Sequence, residues 1–185
     1  MLEDLAAHVL DIAQNSIAGG AGCVEVAVSR LAAPDFLTFQ ISDDGKGMDE
    51  ARVKAVLNPF CTSRTTRRVG MGLPFLKQSA ELCGGEFRLS STPNVGTRVF
   101  ASFALHNIDT PPIGDIAGAF LTLLIDAPLV HWIFKTISPE GVFELDSDEV
   151  ASAIDGLDSL KIPDVAMALK AMIEAGIADI KGELS

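Results

Sequence analysis

The sequence predicts an α+β protein, a two-layer α/β sandwich in which helices cover one face of a mixed sheet. Three observations carry this. Helix-period and alternating segments follow in the order helix, two strands, helix, long loop, helix, two strands. The strand pairs are joined by short turns rich in Pro, Asp, Asn and Gly. An apolar fraction of 48% in 185 residues is enough to fill a core.

Apolar residues at 2, 5, 6, 9, 10, 12, 13 and 17 recur at helical spacing, and "GGAG" at 19–22 stops that helix. "CVEVAVS" alternates strictly, and after the turn "AAPD" the run "FLTFQIS" does likewise, so the two predict an antiparallel hairpin. "DEARVKAVL" reads as a short helix capped near Asp49. "NPFCTSRTTRRVGMGL" has no apolar period and reads as an extended loop. In "PFLKQSAELCG", Pro74 suits a first helical turn, where its missing N–H costs nothing. "EFRLSST", the turn "PNVG" and "TRVFASFAL" predict a second hairpin. "HNIDTPP" reads as a linker. A small α+β extension follows: a helix at "IGDIAGAFLTLLID", a hairpin turning at "SPEG" and helices at "SDEVASAIDGL" and "PDVAMALKAMIEAGIADI". The expected organisation is a first domain at 1–106 and a small C-terminal one at 113–185.

A net charge of −11 repels DNA, RNA and anionic membranes, so neither nucleic acid nor membrane is an expected partner. Three irregularly spaced cysteines without C-x-x-C favour neither a disulfide framework nor a zinc site, and they fit a reducing, cytoplasmic setting. The N-terminus carries acids where a signal peptide carries bases, and the most apolar stretch is broken by Asp126 and Pro128. Against the acidic background, Arg64, Arg67 and Arg68 concentrate in "SRTTRR", which suits either an anion grip or a solvated loop.

Four short pieces carry chemistry. In "DIAQNS", Asp11 and Asn15 lie four apart on one helical face, either a polar surface or a pair able to orient water and ligate a hard cation. "DDGKGM" puts Asp43 at a strand end, able to accept from an exocyclic amine, with Gly45 and Gly47 allowing a close backbone approach. "GMGLPF" places Gly70 and Gly72 before a helix N-terminus, where free N–H groups favour phosphate. "GTRVF" puts Thr97 at a strand start. Each alone is also an ordinary turn or helix face.

In this order and spacing, the pieces resemble the GHKL superfamily of ATP-binding domains, shared by histidine kinases, gyrase-type and MutL-type ATPases, Hsp90 chaperones and anti-sigma-factor kinases. The resemblance runs from about Leu2 to Leu105 and lies closest to the histidine-kinase and anti-sigma-factor-kinase branch. It implies a site for ATP or ADP with Mg²⁺: Asp43 on the adenine amine, aided by Thr97; Gly45, Gly47 and Met48 shaping the ring pocket; Asn15 on Mg²⁺. It also implies a lid anchored by Phe60, with Arg64, Arg67 or Arg68 on the phosphates, and a backbone cradle around Gly70, Gly72 and Leu73. Where several branches carry a glutamate base, this chain has the shorter Asp11, the expected catalytic residue.

"DIAQNSIAGGA", which looks like the family's N box, lies almost at residue 1, and His8, His106 and His131 lack the acidic neighbour of a phosphoacceptor histidine. The resemblance therefore implies a stand-alone histidine-kinase-like protein that phosphorylates or regulates a partner, as a protein kinase or weak ATPase. Its C-terminal region would recognise the partner or build a homodimer. The competing readings are a nucleotide-gated interaction module without phosphotransfer and a MutL-like ATPase.

Overall fold

The computed structural model describes residues 4–32, 35–58 and 72–178. The first helix, α1 (Leu5–Ala18), begins where Asp4 accepts the N–H of Ala7 at 2.8 Å and ends at Gly19. Its inward stripe of Leu5, Val9, Ile12 and Ala13 is buried. Strands β1 (Cys23–Ala32) and β2 (Asp35–Asp43) pair antiparallel, with Val24 opposite Asp43. A short helix, α2 (Glu50–Val56), is capped by Asp49 and buries none of its residues. The long loop expected after it lies largely outside the described residues. Helix α3 (Gly72–Leu82) leads to the second hairpin, β3 (Phe87–Thr92) and β4 (Gly96–Ala104). Helix α4 (Ile116–Asp126), strands β5 (His131–Ser138) and β6 (Gly141–Asp146), and helices α5 (Ser147–Ala153) and α6 (Pro163–Gly176) complete the order, with a 3₁₀ turn at Leu157–Lys161.

All six strands form one sheet, in the order β3-β4-β2-β1-β5-β6. Neighbours are antiparallel except β1 and β5, which run parallel, so the sheet is mixed as expected. A parallel pair needs a crossover, and α4 supplies it.

Side chains alternate across the sheet. Val24, Val26, Val28, Leu37, Phe39, Ile41, Trp132 and Phe134 are buried in the core beneath the helices. On the crossover side, Phe120 stacks on Phe134 at 4.7 Å and meets Trp132 edge-on at 6.4 Å, and the indole N–H donates to Ala127 O.

The segment read as a linker between two domains is tied into this sheet and core. The N–H groups of Leu5 and Ala6, which α1 itself cannot satisfy, donate to Pro112 O and Ile113 O at 3.0 Å. The elements after residue 113 continue the sheet begun by the first four strands, and one hydrophobic cluster runs from Leu5 to Ile177.

Candidate functional site

Between α1, the turn after β2, α2 and the start of α3 lies a cleft of about 430 Å³. It is lined from α1 by Ile12, Asn15 and Ser16, from the turn by Asp43, Gly47 and Met48, and from β4 by Thr97 and Val99; Gly72 and Leu73 close it. Ile12 and Val99 give it an apolar floor, and Asp43 and Thr97 a polar end.

Asp43 is fixed by three donors. Ser16 Oγ donates to Oδ2 at 2.7 Å, and the N–H groups of Gly45 and Thr97 donate to Oδ1 at 3.0 and 3.3 Å. A carboxylate has about four acceptor sites, so Oδ2 keeps one for a ligand donor. Thr97 lies directly opposite Asp43 across the β2–β4 pair. Its hydroxyl lies 2.9 Å from Ser91 Oγ, and Ser91 already donates to Gly96 O and accepts from Met48 N–H. The proton between the two hydroxyls therefore comes from Thr97, leaving Thr97 Oγ1 an acceptor toward the cleft.

The glycines answer to a neighbouring turn as well as to the cleft. Gly47 has φ +61°, and a Cβ there would overlap the carbonyl of Thr92; a Cβ on Gly96, at φ +135°, would overlap that of Asp43. The turns after β2 and β3 are thereby locked together, with Asn94 N–H donating to Lys46 O. Gly45 is buried behind Asp43 rather than in the cleft wall. Asp44 points away from the cleft and accepts the N–H groups of Gly22 and Cys23 at 2.7 and 2.8 Å.

Asp11 and Asn15 share one face of α1, and Asn15 Nδ2 lies 3.5 Å from Asp11 Oδ2. Burial pushes the Asp11 carboxyl above its ordinary pKa, and the Asn15 contact opposes this. Gly72 rests against Asp11 so closely that a Cβ would overlap the carboxylate. These oxygen donors suit a hard divalent cation. Phe60, Arg64, Arg67, Arg68 and Gly70 lie outside the described residues.

Sequence reasoning missed Ser16, Ser91, Lys46 and Arg52. Lys46 and Arg52 line the cleft, and among the described residues neither is in an ion pair. Lys46 stands between two glycines of a quoted motif and Ser16 ends another, signals that were present; a lone serine on a strand or arginine on a helix gives none.

Residues 2–107, more than half of the chain, match the family described as histidine kinase-, DNA gyrase B-, and HSP90-like ATPase. The chain belongs to this ATPase family. A Shewanella frigidimarina (strain NCIMB 400) protein described as a "putative sensor protein" is 31% identical over 85 residues, 45% of this chain and 13% of that protein. The chain thus spans a small fraction of that relative. Among solved structures, the N-terminal domain of a DNA repair protein is similar with TM-score 0.55 and 17% identity, over 85% of this chain and 58% of the other. The Aquifex aeolicus MutL ATPase domain, complexed with ADP, gives 0.53 and 14%, over 84% and 70%. These likenesses establish the fold, and their coverage extends beyond the family match. Members of this ATPase family bind ATP or ADP, and the cleft lies within the matched residues.

Proposed function

We propose that the chain binds ATP with Mg²⁺ in this cleft and uses it to phosphorylate or regulate a partner protein, as a histidine-kinase-like module. The observation that carries the reading is Asp43, held by Ser16, Gly45 and Thr97 with an acceptor site left for an exocyclic amine. Met48 and Gly47 would flank the base, and Asn15 would hold Mg²⁺. Lys46, Arg52, the backbone at Gly72 and Leu73, and Phe60, Arg64, Arg67, Arg68 and Gly70, which lie outside the described residues, would receive the nucleotide. Mg²⁺ would neutralise phosphate charge, and the chain's part is positioning. Asp11, its pKa raised by burial, is suited to accept a proton from an attacking group. Ile162, Met167 and Met172, at the start of α6 and along it, are exposed apolar side chains that a partner or a second copy docking through the C-terminal part would cover. Among the described residues no helix is long and apolar enough to cross a membrane, and the reading places the chain in the cytoplasm.

The test is release or transfer of phosphate from γ-radiolabelled ATP by the chain and by Asp11→Asn. A catalytic role predicts that turnover falls by about a hundredfold or more while ATP affinity stays within about threefold. Binding without turnover in the unaltered chain, with or without candidate partners, sinks the transferase reading and leaves a nucleotide-gated module.

A further inference from the structure

Two strands along from Asp43, at the same end of the sheet, lies a second group of donors that the cleft does not use. Cys23 opens β1 and His131 opens β5, and the two are direct partners in the parallel pairing. His131 Nε2 lies 2.9 Å from Asp146 Oδ2 and 3.9 Å from Asp148 Oδ2. One ligand atom from each of these residues lies within 4.8 Å of the others. Asp146 spends Oδ1 on the N–H of Asp148, capping α5, and turns Oδ2 to the imidazole.

We propose that His131, Asp146 and Asp148 bind one divalent transition-metal ion of the zinc class. Bonds of about 2.0–2.2 Å hold tetrahedral ligands roughly 3.3–3.5 Å apart, and the two imidazole–carboxylate distances bracket that value. Two carboxylates with a neutral imidazole carry a charge that a divalent ion cancels. Among the described residues no lysine or arginine pairs with Asp146 or Asp148, whereas nearby Glu25 and Glu144 are both neutralised by Lys135.

The imidazole also has a supporting contact behind it. Cys23 Sγ lies 3.8 Å from Nδ1, on the side of the ring away from the carboxylates. With Nε2 on an ion the ring proton sits on Nδ1, facing sulfur, the kind of outer contact that fixes the tautomer of a metal-bound histidine. The sulfur meets Nδ1 and not the nitrogen that faces the carboxylates, so Cys23 stands behind the ring and outside the group of three ligand atoms. A nitrogen with two oxygens suits Zn²⁺ or Mn²⁺ better than Mg²⁺ or Ca²⁺, which prefer oxygen alone. The ion would tie the start of α5 to the sheet, independently of nucleotide.

Calorimetric titration of ZnCl₂ and MgCl₂ into the nucleotide-free chain, its Asp148→Asn and its His131→Gln variants tests this. Asp148 is largely exposed and its side chain caps nothing, so that variant keeps the fold, as circular dichroism would verify. The expected result is one Zn²⁺ per chain, weakened at least about tenfold by either substitution, since loss of an outer contact alone costs that much, with Mg²⁺ giving no comparable binding. No Zn²⁺ binding by the unaltered chain, or equal affinity in both variants, overturns the site. Mg²⁺ binding as tight as Zn²⁺ overturns the assignment of metal class.

Discussion

Asp43 and Asp44 are adjacent, yet they serve opposite sides of one turn. The first faces the cleft, and the second clamps the start of β1 through two backbone N–H groups. His8 shows what burial without partners does: it is 2% exposed, and its Nδ1 has no hydrogen-bond partner among the described residues. Burial lowers its pKa from 6.5 to about 4, against the opposing pull of the Asp4 carboxylate. Between those values the unfolded chain takes up a proton that the folded chain refuses, so stability falls as pH drops through this window. The total is roughly 3 kcal/mol. Replacing His8 by Leu should flatten the dependence of the urea midpoint on pH between about 6.5 and 4; an unchanged slope would exclude His8 as its source. At this scale the sequence pointed, through quoted motifs, to four residues that line the cleft: Asp43, Gly47, Asn15 and Thr97. The roles of Ser16 and Ser91 were hidden because they arise only when α1 meets β2 and when β3 meets β4 across the sheet.

Among the elements, the decisive contact is β5 on β1. It places Trp132 and Phe134 under the helices and leaves no free edge at β1. A chain ending at residue 112 loses every element from α4 to α6, and with them the cover that α4 and β5 give to the buried residues of α1 and β1, Leu5, Val9, Val24 and Val26 among them. Each apolar side chain of α1 or β1 so uncovered costs about 2 kcal/mol, and a few of them are comparable with the whole stability of a domain. Such a chain should aggregate or lack a cooperative unfolding transition. A monodisperse, nucleotide-binding 1–112 fragment would contradict this and make the first segment a domain in its own right. The three hairpins and all the helices were legible because their periodicity is local. The β1–β5 pairing was not, since no residue marks a partner more than a hundred positions away; the Pro-rich "HNIDTPP" looked like a boundary, while its last carbonyl caps α1.

Over the whole molecule, a net charge of −11 opposes any anionic ligand, and the cleft answers locally with Lys46 and Arg52. Mg²⁺ should therefore strengthen ATP binding, because it removes part of the charge the acidic chain repels. The apolar floor and the fixed Asp43 acceptor then select the base. Calorimetry of ATP with Mg²⁺ on the intact chain and on Asp43→Asn measures that claim most directly. The amide cannot accept at both ends, so one site that now accepts from Ser16 or the ligand becomes a donor. The account predicts one ATP per chain, with affinity reduced about ten- to a hundredfold in Asp43→Asn at unchanged circular dichroism. Absence of binding by the intact chain, or equal affinity in the two, would contradict it.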